Sequence, residues 1–184
     1  MRISGPNLAL RPPEPRDADA LFELGSDREV VRFFSWGPYT ERAEAEAFIE
    51  RVRRERPYEF FVTGAGDRPI GLIGLTELSE RDGRAVVGTW LGRAQWGTGV
   101  NREAKALILH FAFAELRLNR VSAYAHPDNG RSLAALERIG FTREGLLRSW
   151  HSHRGELRDV AILGLLRQEW EAGPLADVPV TIER

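Results

Sequence analysis

Apolar positions change their spacing along this chain, and the changes divide it into elements. After a short apolar stretch at Leu8 to Leu10, Pro15-Arg16-Asp17 opens a helical pattern with Ala18, Leu21, Phe22 and Gly25 at i, i+3, i+4 and i+7. The same spacing returns at Ala45, Phe48, Ile49 and Val52, with Thr40 as the expected N-cap. From Glu59 the pattern turns strand-like: Glu59 to Thr63 and Pro69 to Glu77 are apolar and β-rich, joined by the turn Gly64-Ala65-Gly66-Asp67. Arg81-Asp82-Gly83 leads into a third run, Ala85 to Leu91, which completes an antiparallel meander. A long helix follows with Ala104, Leu107, Ile108, Phe111 and Ala114 on one face, then a strand at Arg120 to Ala125. A further helix places Ser132, Ala135, Leu136 and Ile139 together, before two late strands near Phe141 to Leu147 and Leu157 to Leu166. The order ββ-αα-βββ-α-β-α-ββ predicts an α/β (α+β) fold, a mixed sheet covered by helices.

Composition narrows the function classes. A chain of 184 residues, 42% hydrophobic and 29% charged, suffices for one domain over 1–184, and no repeat or Ser/Gly-rich linker divides it. The absence of cysteine excludes a disulfide framework, thiolate zinc sites and a Cys nucleophile. A net charge of -1 provides no overall attraction to nucleic acid or to an anionic membrane, though local patches are compatible with it. No long apolar stretch follows Met1-Arg2-Ile3, so the expected location is the cytoplasm. Lys105 is the sole lysine among 26 basic residues, which reads as compositional bias.

The segment Trp96-Gly97-Thr98-Gly99-Val100-Asn101 joins a strand to the start of the long helix. Glycines there let backbone N–H groups approach an anion, and the helix N-terminus adds partial positive charge. A tight turn with no ligand explains the same glycines. Arg102 replaces the third glycine of a dinucleotide fingerprint, and no Gly-Lys-Ser/Thr follows for a P-loop.

Gly88-Thr89-Trp90-Leu91 running into Trp96-Gly97-Thr98-Gly99 and Glu103-Ala104 resembles motif A of the GNAT superfamily of N-acetyltransferases, in its ribosomal-protein N-acetyltransferase-like (RimJ/RimL-like) branch. His126-Pro127-Asp128-Asn129-Gly130-Arg131-Ser132, continuing to Ile139-Gly140-Phe141, is similar to that branch's motif B, and Glu144 to Arg148 with Arg158-Asp159-Val160 forms a third match. The resemblance runs from about residue 70 to 170 and implies the GNAT fold, with a six- to seven-stranded, mostly antiparallel sheet and about four helices. Asn101 departs from the family pattern, which has Gly or Ala there.

The resemblance also implies chemistry: direct transfer of the acetyl group of acetyl-CoA to a primary amine, in a ternary complex and without a metal. On that reading Thr89, Trp90 and Leu91 pair with the pantetheine arm and polarise the thioester carbonyl. Trp96, Gly97, Thr98, Gly99, Val100 and Asn101 hold the diphosphate. Asn129 contacts CoA, although it is also a good N-cap. Ser132 is the candidate proton donor to the departing sulfur. His151 and Glu77 are the candidate bases, His151 for its intrinsic pKa and Glu77 for its place at the acceptor end of a strand. Trp36 and Tyr39, with Phe33 and Phe34, either line an acceptor pocket or pack. His126 reads as structural, and Glu103 as a dipole partner of the long helix. His151 and His153 lack a third ligand for a metal.

Direct attack agrees with the absence of cysteine. Acceptors compatible with the branch are a protein N-terminus, an amino sugar or antibiotic, and a polyamine-like metabolite. Two readings from other classes are a CoA-binding interaction or sensing module with little turnover, and a nucleic-acid-binding domain suggested by many arginines, which the near-neutral charge disfavours. An exposed final strand region and the segment around Trp170 are compatible with a homodimer.

Overall fold

The computed structural model describes residues 1–184. Nine strands form one sheet: β1 (Arg2–Ser4), β2 (Ala9–Arg11), β3 (Glu59–Thr63), β4 (Pro69–Ser79), β5 (Arg84–Leu91), β6 (Arg120–Ala125), β7 (Thr142–His153), β8 (Glu156–Leu166) and β9 (Thr181–Glu183). The helices are α1 (Ala18–Ser26), α2 (Arg42–Glu55), α3 (Val100–His110), α4 (Gly130–Glu137) and α5 (Arg167–Glu171). Across the sheet the order is β7-β8-β6-β5-β4-β3-β2-β1-β9. Every neighbouring pair is antiparallel except β5 with β6.

The expected element order is present, and the sheet is wider than six or seven strands. The expected order already opens on two strands, so the strand outside it is β9; β1, β2 and β9 are each three residues long and too short to display an alternating period. The fifth helix, α5, has five residues and is equally short for a helical period. The helical run that begins at Val100 leaves α geometry at His110 and finishes in a wider π turn over Phe111–Glu115.

Two apolar cores form, one on each face of the sheet. Along β5, Ala85, Val87 and Leu91 face α3 and α4 in the larger core, while Trp90 faces α1 and α2 in the smaller one with Leu21, Ile49 and Phe61. That alternation is the two-residue period of a strand covered on both sides. Helix α3 is the most deeply buried, with every residue from Ala104 to Leu109 buried.

Local polar groups fix the chain between these layers. Glu41 is the N-cap of α2, and Thr40 lies one residue outside. The Glu44 carboxylate reaches back to accept the N–H groups of Thr40 at 2.6 Å and Glu41 at 3.1 Å. Glu103 does more than offset a helix dipole: its carboxylate accepts the N–H groups of Asn7 at 2.7 Å and Leu8 at 3.0 Å, tying the β1–β2 turn to α3. Arg11 on β2 is buried beside Asp17, with two parallel hydrogen bonds of 2.7 and 2.8 Å, and a contact of 2.9 Å to Asp67. The Arg11 pKa is raised first by its hydrogen bond to Asp17.

Removing one partner of a buried pair leaves an uncompensated charge, which costs about 3–5 kcal/mol. Asp17→Ala is therefore expected to lower unfolding stability by about that amount in denaturant titrations. Arg16→Ala, on an exposed side chain, is expected to change stability by less than about 1 kcal/mol.

Candidate active site

Strands β5 and β6 pair at three positions, Arg84↔Arg120, Ala85↔Val121 and Val86↔Ser122, and then separate. Beyond Val86, β5 keeps its antiparallel partner β4 as far as Leu91, while β6 keeps β8 as far as Ala125. The separation leaves one edge of Val87 to Leu91 without a strand partner, at the side of a cleft of about 700 Å³. That volume suits a small-molecule ligand.

From β5 the cleft takes Thr89, Trp90 and Leu91, and from the following turn Gln95, Trp96, Gly97 and Gly99. Asn101 and Arg102 come from α3, and Asn129, Arg131, Ser132 and Arg138 from the start and face of α4. The loop after α1 closes the side with Glu29, Val30, Phe33 and Phe34. Thr98 and Val100 do not line it. The Thr98 hydroxyl donates to the Gln95 carbonyl at 2.8 Å, and Val100 packs against the larger core.

The turn at the mouth depends on its glycines. Gly97 and Gly99 have φ of +78° and +90°, in the left-handed region that favours glycine, and a Cβ at either would meet open space. Gly99 is the N-cap of α3, and no side chain caps that helix. Its first N–H groups and its positive end are thus presented at the cleft. Arg102, Arg131 and Arg138 surround the cleft against one carboxylate, Glu29, so the local field is positive although the whole chain carries -1. The Arg131 guanidinium lies over the Trp96 ring, 3.4 Å from its centroid, while the Trp96 indole donates to the Leu91 carbonyl at 3.0 Å.

Asn129 is the N-cap of α4: its Oδ1 accepts the Ser132 N–H at 3.2 Å, and Nδ2 makes no hydrogen bond within the chain. Ser132, partly buried, stands beside it on the cleft wall.

Other residues singled out in the sequence lie outside the cleft. His151 is an exposed residue of β7, paired with Arg158 across the β7–β8 hairpin, so the polar segment around it is strand rather than loop. Glu77 sits at a bulge of β4 with φ of +48°. Its carboxylate reaches Tyr124 of β6, whose pKa is raised by partial burial and then by Glu77. Gly88, on the intervening strand β5 and opposite Gly74 of β4, is exposed with nothing near the position of a Cβ. Trp36 stacks on Phe34 and meets Trp90 edge-on at 5.4 Å, on the sheet face opposite α3. Tyr39 is packed on Gly25, where a Cβ would come within 2.4 Å of its ring, and burial pushes its pKa up to about 12. His126 accepts the Asp128 N–H through Nδ1 and lies tilted against Phe33, with ring centroids 5.2 Å apart. Trp170 packs inward, stacked on Phe113 at 5.3 Å.

Sequence reasoning passed over the cleft arginines and Lys105. Arg131 and Arg138 are seven apart on α4, which puts them on one face, a spacing visible in the sequence. Lys105 interrupts the run Ala104-Lys105-Ala106-Leu107-Ile108-Leu109, and a lone charge inside a fully buried stretch is itself a signal. The side chain is buried, no carboxylate pairs with it, and its ammonium donates to the Thr89 hydroxyl. Burial alone pulls its pKa down from 10.5 to about 7.

Comparison with known proteins agrees with the geometry. The family described as acetyltransferase (GNAT) domain matches residues 7–142. The chain is 33% identical over 169 residues to the N-acetyltransferase p20 of Bacillus licheniformis, covering 89% of this chain and 94% of p20. It is 31% identical over 173 residues to YdaF of Bacillus subtilis, named for ribosomal N-acetylation, covering 90% and 94%. The crystal structure of a GCN5-related N-acetyltransferase from Brucella melitensis superposes with a TM-score of 0.86 at 26% identity, over 94% of this chain and 81% of that one.

Between pH 7 and about 10 the unfolded chain holds a proton on Lys105 that the folded chain has largely lost, so stability contributed by this group increases with pH across that window. Lys105→Met is expected to raise the melting temperature at pH 7, with the gain shrinking towards pH 10. Equal melting temperatures for the two proteins at pH 7 would contradict the burial cost.

Proposed function

This chain belongs to the GNAT acetyltransferase family and transfers the acetyl group of acetyl-CoA to an amine, and on that premise we propose how its cleft divides the work. One observation carries the reading: the uncapped N-terminus of α3, with left-handed Gly97 and Gly99 before it, opens beside the unpaired edge of β5.

At that mouth the N–H groups of the turn and of Val100 and Asn101 take the diphosphate, where a side chain at Gly97 or Gly99 would fill the cradle. Arg131 and Arg138 add the fixed positive charge that phosphates require, with Arg131 leaving the Trp96 ring to do so. Along the free edge of β5, the backbone of Thr89 to Leu91 pairs with the pantetheine amides as an added strand would. A backbone N–H there polarises the thioester carbonyl. Asn129 contributes its free Nδ2, and Ser132 the proton taken by the departing sulfur. The spermidine N-acetyltransferase of Vibrio cholerae, which shares this fold at 23% identity and a TM-score of 0.77, was solved with CoA and spermine.

The acceptor approaches from the opposite face of the sheet, over Gly88. Glu77 and Tyr124 stand on the strands either side of β5, and Trp36 packs against Trp90 on the side of α1 and α2. Glu77 takes the proton of the incoming ammonium, directly or through water, and the freed amine attacks the carbonyl. The C–N bond forms, the tetrahedral intermediate collapses with loss of the C–S bond, the thiolate takes the hydroxyl proton of Ser132, and the proton that the attacking nitrogen sheds on becoming an amide restores that hydroxyl through water. His151, exposed on the hairpin, is not needed for this path.

For the acceptor we favour a protein N-terminus, in keeping with a RimJ/RimL-like assignment and with the name of YdaF. Residues 1–184 act as one catalytic unit in the cytoplasm; no helix is long and apolar enough to cross a membrane. A homodimer would form through the β7–β8 hairpin, which exposes Leu146, Trp150 and Leu157.

Acetyl-CoA and CoA are both expected to raise the melting temperature, and thiol release is expected with at least one member of a panel of N-terminal peptides and polyamines. Failure of either ligand to stabilise the protein would remove the reading. Arg131→Ala is expected to weaken CoA binding about tenfold, corresponding to one lost charge-assisted contact of about 1.4 kcal/mol. Isothermal titration at fixed salt measures it.

A further inference from the structure

Of the four buried charged side chains, Lys105 alone lacks a partner of opposite charge. Arg11 and Asp17 satisfy each other, and Glu59 pairs with Arg56 at 2.7 Å. Lys105 has no such partner: its single hydrogen bond runs to the hydroxyl of Thr89. A lysine kept in that setting destabilises the fold, because burial disfavours its charged form and nothing nearby compensates. Replacing it by an apolar residue of similar length would relieve the cost, so a structural role is a poor account of its presence.

Its place in the fold points elsewhere. Thr89 stands in the stretch of β5 beyond Val86, where the strand edge is free, and it lines the cleft. The mouth of the cleft, where the diphosphate is taken, lies at Gly97 to Asn101, so the reactive end of an extended ligand lies deeper, against β5. Lys105 approaches Thr89 from α3, behind the cleft wall. With the ammonium donating to Oγ1, the hydroxyl proton of Thr89 is not engaged by Lys105 and is free to turn into the cleft.

We propose that Thr89 is a hydrogen-bond donor to the acyl oxygen of the thioester, and that Lys105 is the positioning residue that holds the Thr89 hydroxyl in its donor orientation. The assignment rests on the cleft being the acetyl-CoA site. No proton changes owner in this step. The hydroxyl adds to the backbone N–H groups that stabilise the oxyanion as the amine attacks. When Lys105 loses its proton it becomes an acceptor for the same hydroxyl, and the donor is withdrawn from the cleft. Burial holds its pKa near 7, and no charged or titratable side chain on β5, on the rest of the sheet or on α3 shifts it further.

Two variants and one spectroscopic measurement test this. Lys105→Met and Thr89→Val are each expected to lower kcat at least tenfold while leaving the acetyl-CoA dissociation constant within twofold of wild type. The double variant is expected to be no slower than the slower single one, since both remove the same hydrogen bond. A limb near pH 7 in the wild-type kcat profile is expected to vanish in both. Because the chain has one lysine, protein carrying 13Cε-labelled lysine gives a single side-chain resonance. That resonance is expected to titrate near 7 in the ligand-free protein and to move when Thr89 is replaced by Val. Single variants that keep kcat within twofold, or a double variant that is slower by the product of the two effects, would overturn the proposal. So would a lysine resonance that titrates near its ordinary 10.5. Should Lys105→Met fail to fold, Thr89→Val and the lysine resonance decide alone. A wild type that binds no acetyl-CoA sinks the reading of the cleft itself; a wild type that turns over no faster than its variants sinks only this assignment.

Discussion

Everything distinctive in this molecule follows from the short parallel contact between β5 and β6. Each strand has a longer antiparallel commitment on its other side, β5 to β4 and β6 to β8, and these hold the two strands on diverging paths. A sheet that stayed closed would bury the polar edge of β5 in a ladder. The divergence exposes it instead, and the connections deliver the rest. Helix α3 is the crossover that a parallel pair requires, so its N-terminus must start next to the end of β5. Helix α4 begins just after β6, at the other lip. Two helix starts and one free strand edge therefore converge on a single gap, the cleft beside β5.

That construction explains which parts of the protein were legible in its sequence. Period and punctuation identified the two early helices, the meander, α3, β6 and α4, because each is long enough to repeat. Strands β1, β2 and β9 are held by neighbours rather than by their own pattern, and three residues carry no period. Thr40 was the natural choice for a cap by residue type, but the interaction is made by Glu44 reaching backwards, which depends on how the chain enters the helix. The Gly-rich turn was visible as a turn. The features that suit it to an anion, the left-handed conformation of Gly97 and Gly99 and an uncapped helix, cannot be read from residue names. Arg131 and Arg138 were hidden in a composition rich in arginine. Lys105 was hidden differently: its rarity in the chain reads as compositional bias, whereas its meaning lay in the apolar residues on either side.

The contrast between Arg11 and Lys105 shows two uses of buried charge. Arg11 is surrounded by carboxylates and contributes to fixing β2 on the start of α1. Lys105 is buried with the Thr89 hydroxyl as its one hydrogen-bond partner. The first arrangement is self-sufficient, and its loss would be felt as instability. The second makes the native state less stable than it could be, the pattern expected where a protein retains strain beside a site of chemistry.

The burial of Lys105 has a chemical consequence for the protein as a reagent. The other 25 basic side chains are arginines, whose guanidinium groups stay charged and are poor nucleophiles at neutral pH. With its one ε-amine enclosed between helix and sheet, the folded molecule presents no side-chain amine to the activated acyl groups it handles. Acylation of lysine therefore cannot tag, silence or crowd its surface while it remains folded.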